Sequence, residues 1–218
     1  MTAEEEKSLD RFLTAVREQD EYTLNSIDRD ALDRAAKLIE QSKSEGGRLH
    51  VTGIGKPGHL AEYIASLIAS TGTPTYFLHG TEAVHGSSGQ LVEGDVVIGI
   101  SNSGNTEELI ATINCVKNNG CKVIGVTGDP DSKLAALSDV CLLASVVQEE
   151  DTETGKKFPV EGGPLNRAPR NSILAEMLVL QALSVILQRN ANVTPEQYIK
   201  HHPHGALGKL RDNERQAM

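Results

Sequence analysis

Apolar residues return every three or four positions near the start of the chain: Leu9, Phe12, Leu13 and Val16, then Leu32, Ala35, Ala36 and Ile39. That spacing lines them up on one stripe of a 3.6-residue turn and predicts two amphipathic helices, which either cap a sheet or clasp a partner surface. The period then changes. After Gly46-Gly47 a short alternating run, Arg48 to Thr52, passes through a glycine-rich turn into the helical pattern Leu60, Ile64, Leu67, Ile68. Strand-length apolar runs recur at Thr75 to Leu78, Asp95 to Ile100, Lys122 to Thr127 and Val140 to Ala144, most of them separated by helical or turn segments. Strands that alternate with helices need crossover connections, which predicts an α/β fold whose largely parallel sheet is covered on both faces.

Two of these runs, Val96 to Ile100 and Val123 to Val126, are continuously apolar rather than alternating. Burial on both faces produces that pattern, so they are expected to be the central strands. The segment Asn171 to Gln188 has a helical period but carries more apolar positions than one stripe requires: Ile173, Leu174, Met177, Leu178, Leu180, Leu183, Val185 and Ile186. Its circumference is expected to be mostly buried, with a subunit interface supplying the cover. Between Gln148 and Pro159 the chain turns polar and aperiodic, which reads as a mobile surface excursion. No internal repeat or low-complexity tract interrupts the pattern.

At 218 residues the chain is sized for one domain, and 39% hydrophobic against 23% charged residues gives it enough apolar material for a core. With 3% aromatics and no Trp, platforms that stack bases or sugars are not expected. A formal net charge of −9 repels a phosphodiester backbone, which argues against nucleic acid as a partner. No apolar stretch reaches the ~18–20 residues of a membrane span, and the first residues are acidic where a secretory signal is basic, so a cytoplasmic protein with no membrane partner is expected. Cys115, Cys121 and Cys141 lack C-x-x-C spacing and read as reduced, mostly buried small hydrophobes.

In open parallel sheets ligands bind beyond the carboxyl ends of strands. After Val96 to Ile100 comes Ser101-Asn102-Ser103-Gly104-Asn105-Thr106-Glu107-Glu108, then the helical pattern Leu109, Ile110, Ile113, Val116. Three hydroxyls thus sit in a glycine-containing turn at a helix start, where unpaired amide hydrogens and the helix dipole favour a phosphomonoester. The alternative is a plain N-cap by Ser103 or Thr106. The turn Gly53-Ile54-Gly55-Lys56-Pro57-Gly58 is a literal G-x-G-x-x-G, but the next strand ends Phe77-Leu78-His79 without the acidic residue that holds a nicotinamide ribose. No P-loop pattern occurs. Glu82, His85, Glu108, Glu161 and the run His201-His202-Pro203-His204 are the remaining titratable candidates, each with an ordinary surface role as its alternative. Adjacent histidines project in different directions and would need further ligands, so no metal is assigned to them.

Together these segments resemble the sugar isomerase, or SIS, domain family, and within it the arabinose-5-phosphate isomerase branch. The resemblance rests on Gly55-Lys56-Pro57-Gly58-His59, Ser70-Thr71-Gly72-Thr73-Pro74, Glu82-Ala83-Val84-His85-Gly86, Ser101-Asn102-Ser103-Gly104, the run from Glu161 to Pro169, and His202-Pro203-His204-Gly205-Ala206-Leu207-Gly208, in the family's order from about residue 45 onward. It implies a three-layer αβα sandwich with a five-stranded parallel sheet, here preceded by two helices, as one domain (helical segment about 1–44, core about 45–218) without CBS modules. It also implies a homo-oligomer, dimer or tetramer, with sites shared between subunits. The implied activity is interconversion of D-ribulose 5-phosphate and D-arabinose 5-phosphate without a cofactor or a metal. Carried over by position, Gly55, Ser101, Asn102, Ser103 and Thr106 bind phosphate, Lys56, Glu108, Glu161 and His202 are catalytic, and His85 is a further active-site histidine.

That set suits aldose–ketose isomerisation, which moves a proton between neighbouring carbons through an enediolate and needs a base, an oxyanion donor and a phosphate anchor. Lys56 suits the oxyanion, Glu161 or Glu108 the base, and His202 or His85 ring opening or proton relay. Pro57 stands where the family usually has serine. Arg170-Asn171-Ser172-Ile173 replaces a run of small hydroxyl residues, and the stretch from Gln148 to Pro159 looks longer than in the isomerases and directly precedes Glu161, as a lid would. A phosphosugar sensor without turnover and an isomerase of another sugar phosphate are the alternatives.

Overall fold

A computed structural model describes residues 1–204, 206–209 and 211 of the chain; Gly205 of the tail motif lies outside them. The chain opens with two helices, α1 (Ala3–Ser26) and α2 (Arg29–Ser44). Both starts are written locally: Thr2 and Glu5 form a reciprocal capping box, and the Asp28 carboxylate accepts the amide hydrogens of Asp30 and Ala31. Then come β1 (Leu49–Gly53), α3 (Lys56–Ser70), β2 (Thr75–Phe77), a single turn α4 (Gly80–Ala83), β3 (Val96–Ile100), α5 (Glu107–Asn118), β4 (Lys122–Thr127), the short α6 (Lys133–Leu137) and β5 (Val140–Leu143).

These five strands form one parallel sheet in the order β2-β1-β3-β4-β5. Leu49 pairs with Thr75 and Val96, Gly53 with Ile100, and Ile100 with Val126. From β1 the chain first winds outward to β2 and then crosses back to β3, so the winding direction reverses between β1 and β3. That reversal opens a crevice outside their carboxyl ends, the position where this topology takes its ligands.

The continuous apolar runs now have a physical account. Leu49, Val51, Val96, Ile98 and Ile100 join one buried cluster with α2 and α3, whereas Val97 and Val123 join another with Leu109, Ile113 and Val116 of α5 and Leu134 of α6. Successive residues of β3 therefore still alternate between faces, but both faces are dry. Gly99 carries no side chain because a Cβ there would stand 2.9 Å from Ile113 Cδ1.

Beyond β5 the structure departs from the sequence expectation in several places. Residues 148–159 form an antiparallel hairpin, β6 (Gln148–Glu150) and β7 (Lys157–Pro159), whose turn is tied by the Asp151 carboxylate to Glu153, Thr154 and the Thr154 hydroxyl. Three-residue strands are too short to show a period, which is why the segment reads as irregular.

Helix α7 (Asn171–Ala191) buries Ala175, Val179, Leu180, Leu183 and Leu187 against α1, α2 and α3 of its own chain. Intramolecular packing thus supplies much of the cover expected from a subunit interface, although Val185 stays 64% exposed. By length and composition α7 is also the one helix among the described residues apolar enough to cross a membrane, contrary to the reading that no stretch is long enough; half of that stretch lies inside the fold. Helix α8 (Pro195–His201) follows, started by a capping box between Thr194 and Gln197. Of the cysteines only Cys121 is buried; Cys115 and Cys141 are half-buried.

Candidate functional site

The glycine turn after β1 is the first wall of the crevice. A Cβ on Gly53 would stand 2.7 Å from the Pro57 carbonyl, one on Gly58 would stand 2.9 Å from the Gly53 oxygen, and Gly55 holds φ +66°. Gly53 and Gly58 are thus demanded by the close approach of strand and helix, and Gly55 by its left-handed backbone alone, since a Cβ there would meet nothing within 4 Å. Pro57 occupies the first turn of α3, where an amide hydrogen would have no intrahelical acceptor, so the helix tolerates it. Lys56 and Gly55 are exposed at this lip, and among the described residues no ion pair engages Lys56.

The second wall is the loop from Ser101 to Thr106. Asn102 pins it: its backbone oxygen accepts from Gly128 N (2.8 Å) and Thr127 Oγ1 (3.0 Å), and its side chain donates to the Ala144 oxygen (3.2 Å). Gly104, at φ +60°, presses against Ser132 and Thr127, where no side chain fits, and its oxygen accepts from Leu134 N. Ser101 is buried and its Oγ lies 3.0 Å from Thr106 Oγ1, while Ser103 Oγ, exposed, accepts from Asn105 N at 3.3 Å.

The plain N-cap alternative is not what the loop does. Thr106 is the N-cap residue of α5, yet its side chain makes no capping bond. The hydroxyl faces Ser101 instead, leaving the amide hydrogens of the first turn of α5 without a side-chain acceptor, next to three hydroxyls. Such an arrangement suits an anion with several charges, a phosphomonoester above all, because each free N–H and O–H can donate while the helix dipole adds a favourable field. Glu107 and Glu108 lie in the same first turn, both exposed.

Glu161 is placed by a separate device. Its own amide hydrogen and that of Gly162 donate to Asn166 Oδ1 (2.6 and 3.0 Å), and the left-handed conformation of Asn166, φ +47°, makes that clamp. The carboxylate turns inward, 5% exposed, where Oε2 accepts from the amides of Arg170 (2.5 Å), Asn171 (2.7 Å) and Ser172 (3.3 Å). It thus caps α7 from nine residues upstream, a role no local motif announces. Helices α7 and α3 both start at the carboxyl edge of the sheet and pack together, so Glu161, Lys56 and the Ser101 loop share that edge. His85, exposed, follows α4 beyond the end of β2 on the same edge.

His202 is elsewhere within this chain. His201 Nδ1 lies 3.1 Å from the oxygen of Ser70, the last residue of α3, and His202, half-buried, stacks on Tyr198 at 4.1 Å with Nδ1 2.9 Å from the Tyr198 oxygen. The end of α3 is at the amino edge of the sheet, so within this chain the tail histidines and the Ser101 loop lie at opposite edges of the sheet. Among the described residues no group of three or more metal-ligating side chains gathers anywhere.

Two buried polar groups escaped the sequence reading. Asp95, fully buried at the start of β3, accepts from the amides of Arg48 and Val92, from the Arg48 guanidinium and from His50 Nε2. Burial alone would raise its pKa, but the Val92 and Arg48 hydrogen bonds outweigh that and hold it below the ordinary carboxylate value, while burial lowers His50 against the pull of Asp95. Glu176, fully buried on α7, has no hydrogen-bond partner for either carboxyl oxygen, and burial with the nearby Glu161 charge pushes it up to about 8. The signal for it was available: it is the sole charged residue between Ile173 and Leu187.

Residues 43–186 match the SIS domain. Among curated proteins the chain is similar to arabinose 5-phosphate isomerase KdsD of Pseudomonas aeruginosa, 37% identical over 84% of this chain and 55% of the relative. Similarity to the KdsD of Escherichia coli K12 is 39% over 77% of this chain and 48% of that relative. The chain spans about half the length of the curated relatives it matches. Among solved structures, Escherichia coli CFT073 c3406 in complex with arabinose 5-phosphate superposes with a TM-score of 0.76 at 32% identity, over 93% of this chain and all of that one.

Proposed function

The chain belongs to the SIS domain family, and on that premise we propose that it is a sugar-phosphate isomerase that interconverts D-ribulose 5-phosphate and D-arabinose 5-phosphate through an enediolate. One observation carries the reading: at the reversal of the sheet, an uncapped α5 start lies beside the paired hydroxyls of Ser101 and Thr106, ready for a dianion and not for a nucleotide ribose. The names of the relatives and the arabinose 5-phosphate held by a structural neighbour support the choice of sugar.

In this reading Ser101, Ser103, Thr106 and the amides around Gly55 and Asn102 hold the phosphate end. The sugar then lies along the crevice toward Lys56, whose ammonium stabilises the oxygen that becomes negative as a proton leaves the neighbouring carbon. Glu161 takes that proton and returns it one carbon along, with Glu108 at the rim as the second carboxylate. Glu161 suits the base role because its free oxygen is held rigidly by bonds made to the other one. His85 and His202 serve ring opening and proton relay. Because α3 separates the chain's own His202 from its own loop, the histidine that completes a crevice comes from a second copy in a homo-oligomer.

Incubation of the purified protein with ribulose 5-phosphate in deuterated water tests the reading. Deuterium at C2 of newly formed arabinose 5-phosphate is the expected result. Tight phosphosugar binding with neither exchange nor aldose would overturn isomerisation and leave a sensor.

A further inference from the structure

Helix α7 buries a carboxyl group that the proposed chemistry does not use. Glu176 lies in the same buried stripe as Ala175, Val179, Leu180 and Leu183, is wholly inaccessible, and finds no donor for either oxygen. An isolated carboxylate in such a place is very costly to ionise, so the group is retained as a neutral acid or the helix would not pack. Among the described residues, what the helices packed on α7 bury is uncharged: α2 contributes Leu32, Ala35, Ala36 and Ile39 to the shared cluster, α3 contributes Leu60, Ala61, Ile64 and Ile68, and the buried residues of α1 are Ala15, Gln19 and Thr23, beside which stands half-buried Asp20 with its Oδ1 buried and unpartnered. Glu161, whose Oε2 accepts from the amides of Arg170, Asn171 and Ser172, places its charge at the start of the same helix, four to six residues before Glu176, and adds to burial in raising it.

Resting on the isomerase reading for its functional consequence, we propose that Glu176 is a positioning residue for Glu161: a buried neutral acid behind the start of α7 whose loss of a proton sets the upper pH limit of the site. Three amide hydrogens at the helix start stabilise the Glu161 anion and hold it in one orientation. While Glu176 keeps its proton, that orientation stands. Once Glu176 ionises, two carboxylates in one dry region repel, and the anchored one must loosen from the helix start. The base is thus displaced at the alkaline end, when its buried neighbour loses a proton.

Selective 13C labelling of glutamate side chains, followed by carboxyl NMR across pH 4 to 10, reads the pair in wild type without substrate. The expected spectrum contains one glutamate that titrates near pH 8, absent from Glu176→Gln and shifted to lower pH in Glu161→Gln because the repelling charge is gone. A wild-type spectrum in which every glutamate titrates in the ordinary range overturns the proposal, as does a raised titration that Glu161→Gln leaves in place. Should Glu176→Gln fail to fold, the wild-type and Glu161→Gln spectra still decide. In turnover, the alkaline limb of the kcat profile should move up by at least one pH unit in Glu176→Gln; an unmoved limb in an active variant overturns the functional half. Turnover absent from both proteins at every pH counts against the isomerase reading, while the NMR titration decides the pair.

Discussion

Ser101 and Thr106 face each other hydroxyl to hydroxyl at 3.0 Å across the mouth of β3, and this contact diverts Thr106 from capping α5. A hydrogen bond to a charged group contributes about 1.5–3 kcal/mol. Ser101→Ala and Ser103→Ala should each weaken binding of a sugar phosphate roughly 10- to 100-fold, the range those energies correspond to. The effect should fall on KM more than on kcat, because the phosphate is held equally in ground and transition states. Titration calorimetry with inorganic phosphate and with the sugar phosphate checks it. Equal affinities in variants and wild type would show that the anion binds elsewhere.

Glu161 caps α7, and two substitutions separate that observed task from the proposed role as base. Glu161→Gln keeps an acceptor oxygen for the amides of α7 and should retain the fold while lowering kcat by about 10²–10⁴, the usual contribution of a general base. Glu161→Ala also removes the cap and should cost a further ~1–2 kcal/mol of stability. Thermal unfolding of the pair, measured beside turnover, tests the division. If the amide variant turns over at the wild-type rate, Glu161 is a structural cap only.

Lys56 and His202 lie at opposite ends of α3 in one chain, which makes complementation the direct test of site sharing. Lys56→Ala and His202→Ala should each be nearly inactive alone. Mixed after mild dissociation, they should regain up to about a quarter of wild-type activity, because half the random dimers are hybrids with one intact crevice of two. No recovery, with hybrid formation verified by native mass spectrometry, would mean that each chain works with its own histidine.

Asp95 anchors the amino edge, and its pH dependence has a definite sign. Its pKa is held below the ordinary value, so its contribution is present above about pH 4 and disappears as pH falls through the lower, folded value. Asp95→Asn breaks a buried cluster with Arg48 and His50 and should destabilise by about 3–5 kcal/mol near neutrality. The gap between variant and wild type should shrink as the medium is acidified. Urea unfolding from pH 7 to pH 3 measures it; a gap constant with pH would exclude an ionised Asp95 as its source.

Much of this architecture is legible from periodicity. The strand cores at Val96 to Ile100 and Val123 to Val126, the helix start at Glu107 and the glycine turn at Gly53 all announce themselves, because each is a local pattern with a local cause. The hairpin at 148–159 did not, since its strands are too short for a period and its turn depends on one Asp151 carboxylate. Nor did the Glu161 cap, which joins residues nine to eleven apart through an Asn166 clamp, or the Asp95 cluster, which joins segments 45 and 47 residues apart. Long-range polar pairing leaves no mark on hydrophobic spacing, and it is such pairing that positions Glu161.

Helix α3 has the character of a ruler. Its fifteen residues measure about 22 Å at 1.5 Å per residue, with the lysine lip at one tip and the histidine tail at the other, and a packed helix does not shorten. On the shared-crevice reading, specific activity is a property of the association constant as much as of any side chain. Rate per chain should fall away on dilution below the concentration at which copies part, and return when a crowded solution restores their encounter.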